Sequence, residues 1–327
     1  MILNNELKIR RDIFNKALAS YLIDGHPKTL YAAARHLPQG GGKRLRPCIA
    51  MLSCESVLGD VKKMLPFAIS VEFIHNFTLI HDDIMDQSQL RRNLPAVHIK
   101  FGEPTAIMAG DLLFNKAFGI LHDLRVNASL FRQVHYLFVK CVEAICQGQD
   151  LDMEFEKRKN VTEKEYLEMI QRKTAALFSL AAQGGVLLGG GTEKEIQMMS
   201  NYGESLGLAF QIWDDYLDIS SNEETLGKDI GNDIRNGKKT IITVHSLNNA
   251  VGKDKDFLKN ILGNKDATHD DIKKIFTIFN KMKSVEYAKD TAVKYSTKAK
   301  RALQTLKESD AKEVLKGLAD FSINREK

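Results

Sequence analysis

Apolar residues recur every three to four positions along most of this chain, which is the spacing of amphipathic helices. The pattern predicts helices over residues 7–22, 30–35, 65–85, 105–121, 130–156, 166–188 and 201–219, and again from residue 241 onward. We find no convincing pair of strands and no change of composition that would mark a linker. We therefore predict an all-α fold in which residues 1–327 form one domain, a bundle of many helices around a central apolar cavity.

Two of the predicted helices carry acidic clusters with identical spacing. One cluster consists of Asp82, Asp83 and Asp86, and the other consists of Asp214, Asp215 and Asp218. Carboxylates four positions apart lie on one face of a helix, where they repel each other unless a cation or a basic partner lies between them. Ligands that are all oxygen suit Mg²⁺, which keeps several waters and is often shared with substrate phosphates. The two clusters therefore predict magnesium binding.

The chain contains its own control for this interpretation. The tetrapeptide His-Asp-Asp-Ile of the first cluster occurs again at residues 269–272, but the residue four positions after Asp270 is Lys274. Thr268 and Asp270 precede a run of apolar residues with helical spacing, which is typical of a helix start. We therefore expect only the beginning of a helix there.

Basic residues accompany the acidic clusters. Arg91 and Arg92 follow the first cluster, and three glycines at residues 40–42 precede a second basic group of Lys43, Arg44 and Arg46. Glycine lets backbone amides approach a ligand closely, although the spacing here is not that of a nucleotide-binding P-loop. The segment 226–240 is rich in glycine, asparagine and lysine, and we expect it to form a loop.

Composition narrows the class of function. The net charge of +5 is modest and no basic stripe with interleaved aromatic residues is present, so we expect no nucleic-acid partner. The four cysteines lack metal-finger spacing and indicate a reducing cytoplasm, with Cys141 and Cys146 expected to be buried thiols. The polar residues 1–11 predict no secretory signal. The uncharged run at residues 174–191 contains five glycines and fits an interior helix better than a membrane span.

Together these groups predict a site for a metal-bridged diphosphate. Carboxylate-bound Mg²⁺ opposite arginine and lysine is how proteins hold that group. A diphosphate held in this way is also a good leaving group, because the cations stabilise the charge that develops as it departs. Its departure would leave a carbocation, which the apolar walls of a cavity would keep from water.

The motifs between Gly41 and Thr240 resemble those of the trans-isoprenyl diphosphate synthases, the polyprenyl synthetases that make farnesyl, geranylgeranyl and longer diphosphates. Asp82-Asp83-x-x-Asp86 is similar to the family's first aspartate-rich motif, and Asp214-Asp215-x-x-Asp218 is similar to its second. The resemblance implies that isopentenyl diphosphate condenses with dimethylallyl, geranyl or farnesyl diphosphate by ionisation, condensation and proton loss. It also implies Mg²⁺ as the cofactor, the departing diphosphate as the base, and a homodimer.

The resemblance further implies a role for each matching residue. The metal ligands would be Asp82, Asp86 and Asp214, supported by Asp83, Asp215 and Asp218. The allylic diphosphate would be held by Arg91, Lys173, Lys228 and Lys238, and isopentenyl diphosphate by Lys43, Arg46, His75 and Arg92. The path of the carbocation would be lined by Thr174 and Gln211. The catalytic set would be Asp82, Asp83, Asp86, Asp214 and Asp215, with Lys173 and Lys228. Relatives often have glycine where this chain has Asn93, which leaves the roles of the two arginines intact.

The residues before the first motif bear on product length. In the family, a bulky aromatic residue five positions before the motif is a floor against the growing chain, and here that residue is Phe77, about 7–8 Å along the helix from Asp82. Phe73, one turn further, would reinforce the floor, and Thr78 adds no second aromatic ring. The pattern resembles archaeal-type geranylgeranyl diphosphate synthases and predicts a twenty-carbon product, with a farnesyl or longer-chain product as the alternative.

Three other functions match less well. A class I terpene cyclase would normally lack the second aspartate motif, which is intact here. A non-catalytic regulatory subunit of a heteromeric synthase would be expected to lose one aspartate cluster or the basic residues, and it stays an alternative. A di-iron bundle needs Glu-x-x-His pairs on facing helices, and we find only the pair of Glu72 and His75.

Overall fold

The structure, a computed structural model, describes residues 2–220 and 230–325 and consists almost entirely of helices. The helices are α1 (Ile2–Ala19), α2 (Lys28–Gln39), α3 (Leu45–Glu55), α4 (Val61–Met85), α5 (Val97–Phe101), α6 (Glu103–Ile120), α7 (Ala128–Lys157), α8 (Glu163–Ile170), α9 (Ala176–Leu188), α10 (Glu193–Ser220), α11 (Ile230–Asn236), α12 (Ile241–Asn249), α13 (Gly252–Ile261), α14 (His269–Lys281), α15 (Ser284–Ala302) and α16 (Asp310–Phe321). The predicted all-α class is therefore confirmed.

The chain divides into two compact units. Unit 1 comprises Met1–Lys140, Leu180–Ser200 and Gln304–Leu315, and unit 2 comprises Cys141–Ser179, Asn201–Leu303 and Lys316–Lys327. The first aspartate cluster belongs to unit 1 and the second belongs to unit 2. The single domain indicated by the sequence stays a prediction.

In unit 1, α4 is buried over most of its length because nearly every turn carries apolar side chains. Phe67, Phe73 and Ile74 are at most 1% exposed, and α4 packs along α6 and α3. Asp60 caps the helix, since its carboxylate accepts a hydrogen bond from the Lys62 amide at 2.9 Å. Close packing on several sides gives the C-terminal end of α4 a rigid support.

Unit 2 has its own hydrophobic core, to which α8, α10, α12, α14 and α15 contribute. Tyr166, Ile212 and Ile275 are among its fully buried members. At the start of α14, the Thr268 hydroxyl accepts a hydrogen bond from the Asp271 amide at 3.2 Å, and the Asp271 carboxylate accepts one from the Thr268 amide at 2.9 Å. The second His-Asp-Asp-Ile segment is therefore a helix start, and that prediction is confirmed.

Two local predictions are wrong. No strand pair was expected, but Leu90–Arg91 and Leu94–Pro95 form two antiparallel strands, β1 and β2. Strands of two residues are too short to produce the alternation by which strands are identified in a sequence.

The segment 226–240 was expected to be a loop, but its described part contains α11. Ile234 of this helix is 4% exposed in the core of unit 2, and such burial overrides weak helix propensity.

All four cysteines are free thiols. Cys141 is buried as expected, whereas Cys146 is exposed, which corrects the prediction for that residue. Because five residues turn a helix by about 140°, these two positions of α7 cannot share one face. Among the described residues, no helix combines the length and the apolar character that a membrane crossing needs.

Candidate functional site

The first aspartate cluster stands at the C-terminal end of α4. Asp82 and Asp83 lie in its last turn, and Asp86 follows its last residue, with its amide bonded to the Asp82 carbonyl at 2.8 Å. Asp83 is buried, Asp82 is partly exposed and Asp86 is exposed. The C-terminus of a helix carries a partial negative charge, so three carboxylates there are unfavourable unless cations offset them.

Arg91 supplies one such cation to Asp83. Its Nε donates a hydrogen bond to Asp83 Oδ1 at 2.9 Å, and its Nη2 contacts the same oxygen. Burial alone would lower the pKa of Arg91, but the hydrogen bonds and the negative charge of Asp83 outweigh burial and raise it. Asp83 Oδ2 has no hydrogen-bond partner within the described part of the chain. Arg91 therefore holds this carboxylate through one oxygen.

A tight hairpin presents the two arginines that follow α4. Arg92 and Asn93 join β1 to β2, and their φ angles are +54° and +61°. Positive φ at both central residues is the geometry of a type I′ turn, which glycine and asparagine adopt most readily. Asn93 therefore suits this turn. Arg92, in contrast, is held in a conformation that long side chains rarely adopt.

Arg92 reaches the glycine-rich loop between α2 and α3. Its Nη1 donates hydrogen bonds to the Leu37 carbonyl at 3.2 Å and to the Gly41 carbonyl. Gly42 has a φ of +125°, and a Cβ at this position would lie 2.9 Å from the guanidinium carbon of Arg92. A side chain at residue 42 would be strained by this backbone conformation, and it would also displace the guanidinium of Arg92. Lys43, the next residue, is exposed.

Arg44 fixes the same loop from the interior of unit 1. Its backbone is left-handed, with a φ of +51°, and its side chain is only 3% exposed. The guanidinium forms an ion pair with buried Glu72 and donates to the Pro38 carbonyl. Breaking a pair of this kind typically costs about 3–5 kcal/mol, because the remaining charge is left buried and unpaired. Glu72 also accepts from Asn76 at 3.1 Å, so it is not available for a di-iron arrangement.

His75 and Arg46 face each other beside these cations. Arg46 Nη1 lies 3.2 Å from His75 Nε2. Burial and the positive charge of nearby arginines lower the pKa of His75 well below its usual range, so the ring is neutral. These arginines, in order of effect, are Arg46, Arg92, Arg91 and Arg44. Because arginine can only donate, Nε2 accepts and the ring proton is on Nδ1. Arg44 and Arg91 are paired with Glu72 and Asp83, whereas Arg92 bonds to backbone carbonyls, so the surroundings of His75 keep positive charge that suits an anion.

Phe77 lies on the face of α4 that packs against α6. The centroid of its ring is 5.4 Å from that of Phe114 and 4.8 Å from that of His81. The row continues from Phe114 to Phe118 at 5.1 Å. Phe77 is partly exposed, whereas Phe73 is 1% exposed. Phe77 therefore belongs to an aromatic row whose other members, Phe114 and Phe118, are also partly exposed, and Phe73 lies inside the core of unit 1.

The second aspartate cluster lies in the last turns of α10 in unit 2. Asp215 is buried, and it accepts hydrogen bonds from the Tyr166 hydroxyl at 2.6 Å and from Gln211 Nε2 at 3.0 Å, one on each oxygen. Gln211 Oε1 in turn accepts from Thr174 Oγ1 at 3.0 Å. Burial raises the pKa of Asp215 to about 7, although the two hydrogen bonds act in the opposite direction. The side chain of Asp214 is 37% exposed.

Lys173 and Thr174 stand on a π-helical turn, Gln171–Ala175, between α8 and α9. Such turns are rare and occur frequently at functional sites. Lys173 Nζ donates to Asp152 Oδ2 at 2.6 Å. Gly148 of α7 packs directly against this turn, because a Cβ there would lie 2.2 Å from the Lys173 amide nitrogen. A small residue at position 148 is therefore what allows the two backbones to meet.

A cavity of about 170 Å³ opens among these groups in unit 2. Its polar lining consists of Asp152, Tyr166, Lys173, Thr174, Gln211, Asp215, Asp218, Asp233, Lys238, Lys239 and Thr240. Lys238 Nζ lies 3.8 Å from Asp233 Oδ1. Loss of hydration, together with the charges of Asp233 and Asp214, raises the pKa of Asp218 to about 7. The cavity thus brings together four predicted binding residues, Lys173, Thr174, Gln211 and Lys238, whereas Lys228 lies outside the described residues.

Both clusters offer the oxygen ligands that Mg²⁺ prefers. Within residues 2–220 and 230–325, no three His, Cys, Asp or Glu side chains converge into a preformed metal centre. Mg²⁺ is usually held by one or two carboxylates together with substrate phosphates. Asp83 and Asp215 are buried against protein donors. The more exposed carboxylates, which could hold a metal, are Asp82 and Asp86 in the first cluster and Asp214 and Asp218 in the second.

Three partners of the predicted site residues were not predicted from the sequence. Tyr166 contacts Asp215, Asp152 contacts Lys173, and Arg325 contacts Asp214. None of the three belongs to either aspartate motif, and the first two contacts join residues 49 and 21 positions apart. One signal was available for Asp152, because the polar segment 147–152 interrupts an otherwise apolar helix face.

The chain is similar to known proteins over nearly its whole length. The polyprenyl synthetase family model matches residues 27–279. A short chain isoprenyl diphosphate synthase of Methanothermobacter thermautotrophicus is 44% identical, over 96% of this chain and 96% of its own length. A geranylgeranyl diphosphate synthase of Methanosarcina mazei is 41% identical, over 100% of this chain and 99% of its own length.

Solved structures show the same fold. A geranylgeranyl pyrophosphate synthetase from Pyrococcus horikoshii has a TM-score of 0.94 and 40% identity, over 99% of this chain and 98% of that one. A polyprenyl synthase from Caulobacter crescentus, complexed with calcium and isoprenyl diphosphate, has a TM-score of 0.90 and 30% identity, over the same shares of the two chains. The predicted isoprenoid synthase type of fold is confirmed.

Replacing Gly148 with alanine tests the contact between α7 and the π-helical turn. We expect Gly148→Ala to destabilise the protein by about 2 kcal/mol, because the added methyl group collides with backbone atoms. Gly119 is the control, since a Cβ at that position of α6 has no atom within 4 Å. Gly119→Ala should stabilise the protein by up to about 1 kcal/mol through helix propensity. Urea unfolding measures both, and equal midpoints for the two variants would contradict the close contact.

Proposed function

The chain belongs to the polyprenyl synthetase family, and we propose that it makes geranylgeranyl diphosphate from isopentenyl diphosphate and an allylic diphosphate. It is a trans-prenyltransferase, as the family model and the relatives at 41% and 44% identity show. The similar proteins of Methanosarcina mazei and Pyrococcus horikoshii are both named for the synthesis of geranylgeranyl diphosphate, which supports this product.

The proposed chemistry is supported mainly by one observation, which is that the chain has two different kinds of group for binding a diphosphate. The region around His75 offers arginines and a neutral ring, which suit a diphosphate that stays on its substrate. The aspartate clusters suit a diphosphate that is bound through a metal and leaves. A reaction that joins two diphosphate substrates and releases one diphosphate needs both kinds.

We assign the substrates accordingly. Isopentenyl diphosphate would be held by Lys43, Arg46, His75 and Arg92. The allylic diphosphate would be held by Arg91, Lys173, Lys228 and Lys238. Both sets rest on family membership, and the contacts of Arg46 with His75 and of Lys173 with Asp152 support them by fixing the side chains before substrate binds.

The cofactor that we propose is Mg²⁺, held by Asp82, Asp86 and Asp214. When bound, Mg²⁺ would stabilise the negative charge of the leaving diphosphate. The calcium in the Caulobacter crescentus complex supports a divalent metal in the family, and Mg²⁺ is the common choice where phosphates share the ion. Asp83 and Asp215 act indirectly, since each is fixed by donors from the protein.

After ionisation, the side chains near the carbocation have to stabilise it without reacting. Gln211 is fixed at both ends, because Thr174 donates to its oxygen at 3.0 Å and its nitrogen donates to Asp215 at 3.0 Å. Its amide and the Thr174 hydroxyl are weak nucleophiles whose oxygens can face positive charge. The departing diphosphate is the proposed base for the final proton, because it is the strongest acceptor close to the new bond.

Exposed apolar side chains on three helices of unit 1 support a homodimer. The exposed apolar side chains of α5, α6 and α7 are Ile99, Ile107, Met108, Tyr136 and Val139, each between 40% and 60% exposed. Contacts of Phe118 with His135 and Phe138 place α6 beside α7. Apolar groups of this extent on neighbouring helices mark an interaction surface.

We also propose a cytoplasmic location, which the four free thiols support.

The first test is transfer activity itself. Wild-type protein with labelled isopentenyl diphosphate, an allylic starter and Mg²⁺ should elongate the starter, and chelation of Mg²⁺ should stop the reaction. Asp82→Asn should lower kcat at least about 10²-fold, because it removes a proposed ligand of the metal. Asp270→Asn, in the second His-Asp-Asp-Ile segment, should leave kcat unchanged. A folded wild type that elongates no starter would instead favour a regulatory subunit.

The product of Phe77→Ala tests the chain-length proposal. We expect the main product to become longer than twenty carbons, because the proposed floor against the growing chain loses its ring. Phe131→Ala is the control, since Phe131 of α7 is also partly exposed but contacts only His122 and His135 among the aromatic rings described. Chromatography of the dephosphorylated products gives their length. An unchanged product distribution for Phe77→Ala would remove this residue from the role.

Light scattering tests the oligomeric state. The wild type should have twice the mass of one 36.8 kDa chain. Exchanging Met108 and Tyr136 for lysine should yield the single-chain mass, because charge in an apolar interface is unfavourable. Leu58→Lys is the control, because Leu58 is 89% exposed and lies outside α5–α7. A wild type with the mass of one chain would contradict the proposal.

A further inference from the structure

The last described residues of the chain pack onto the second aspartate cluster. Residues 322–325 follow α16 and place the side chain of Arg325, 6% exposed, against the last turns of α10. Arg325 Nη2 lies 2.6 Å from Asp214 Oδ1 and donates to the Phe210 carbonyl at 2.8 Å. Its guanidinium carbon is 3.7 Å from the centre of the Phe210 ring. Arg325 is therefore held by charge, by a hydrogen bond and by ring stacking.

Trp213 connects the backbone of the same segment to α10. Its indole Nε1 donates to the Arg325 carbonyl at 3.1 Å, and its side chain is 7% exposed. Trp213 precedes Asp214 in the sequence and is the only tryptophan of the chain. Its fluorescence therefore reports on one place, where the C-terminal segment meets the second aspartate cluster.

A buried guanidinium stays protonated and needs a negative partner, because an unpaired charge in the interior is strongly unfavourable. Asp214 provides this partner for Arg325. A second cation that binds the carboxylate of Asp214 is repelled by the guanidinium at close range. Arg325 and a metal ion at Asp214 therefore compete.

We propose that Arg325 is the resident counter-ion of Asp214 and acts as a positioning residue. It orients the carboxylate while no metal is bound, and Mg²⁺ has to displace the guanidinium from that carboxylate. When Arg325 is displaced, its carbonyl moves relative to the Trp213 indole that donates to it. Metal binding therefore changes the environment of the indole. This inference rests on the proposed function, because it takes Asp214 to be a ligand of Mg²⁺.

The test is a titration of the full-length protein with Mg²⁺ alone, followed by Trp213 emission. The wild-type emission should change with added Mg²⁺. In Arg325→Gln the midpoint for Mg²⁺ should fall about tenfold, because the competing charge is gone. Arg325→Lys keeps the charge and should stay within about twofold of the wild type.

Two further variants separate this role from general effects. Arg301→Gln removes one positive charge from an exposed position of α15, and its midpoint should equal that of the wild type. Arg325→Met keeps much of the buried volume and should show the same lowered midpoint as Arg325→Gln. Thermal melts without Mg²⁺ show which variants are folded. If either Arg325→Gln or Arg325→Met is unfolded, the titration of the other variant is the test.

An unchanged or higher Mg²⁺ midpoint in folded Arg325→Gln or Arg325→Met would overturn the counter-ion role. A wild-type Trp213 emission that does not respond to Mg²⁺ would overturn it as well. Either result can occur in a protein that transfers prenyl groups normally, so the proposed function would stand. Absence of prenyl transfer in the wild type counts against the proposed function and is seen in a separate assay.

Discussion

Negative charge at the C-terminal ends of two helices is the constraint on which the functional parts of this protein depend. α4 and α10 each end in three carboxylates, where the helix dipole adds partial charge of the same sign. Each end is stabilised by an arginine from outside the helix, Arg91 at Asp83 and Arg325 at Asp214. Each arginine offsets part of the negative charge at its helix end.

The aspartates of each cluster differ in burial. Asp83 and Asp215 are buried and are held by hydrogen bonds from side chains of the same unit. Asp82 and Asp214 are more exposed. Buried carboxylates with fixed donors have less freedom to turn towards a ligand than exposed ones. Identical spacing in the sequence thus gives unequal chemistry in the fold.

Much of the positioning in unit 1 depends on backbone conformations that most residues avoid. Arg44, Arg92 and Asn93 all have positive φ, and Gly42 leaves the room that Arg92 occupies. Such conformations are unfavourable by themselves and persist because buried partners hold them, such as the pair of Arg44 with Glu72. The result is a group of arginines fixed close to one another before any anion binds.

The sequence by itself determined the helical class, the two aspartate clusters and the basic residues near them, because helix periodicity and motif spacing are local properties. It failed at the β1–β2 hairpin and at α11, where two-residue strands leave no periodic signal and where burial of Ile234 decides the structure. Only the tertiary structure decided the partners of the site residues. Tyr166 donates to Asp215, which is 49 positions away in the sequence, and Trp213 donates to the carbonyl of Arg325, which is 112 positions away. Contacts of this kind depend on how helices pack, and no spacing along the chain encodes them.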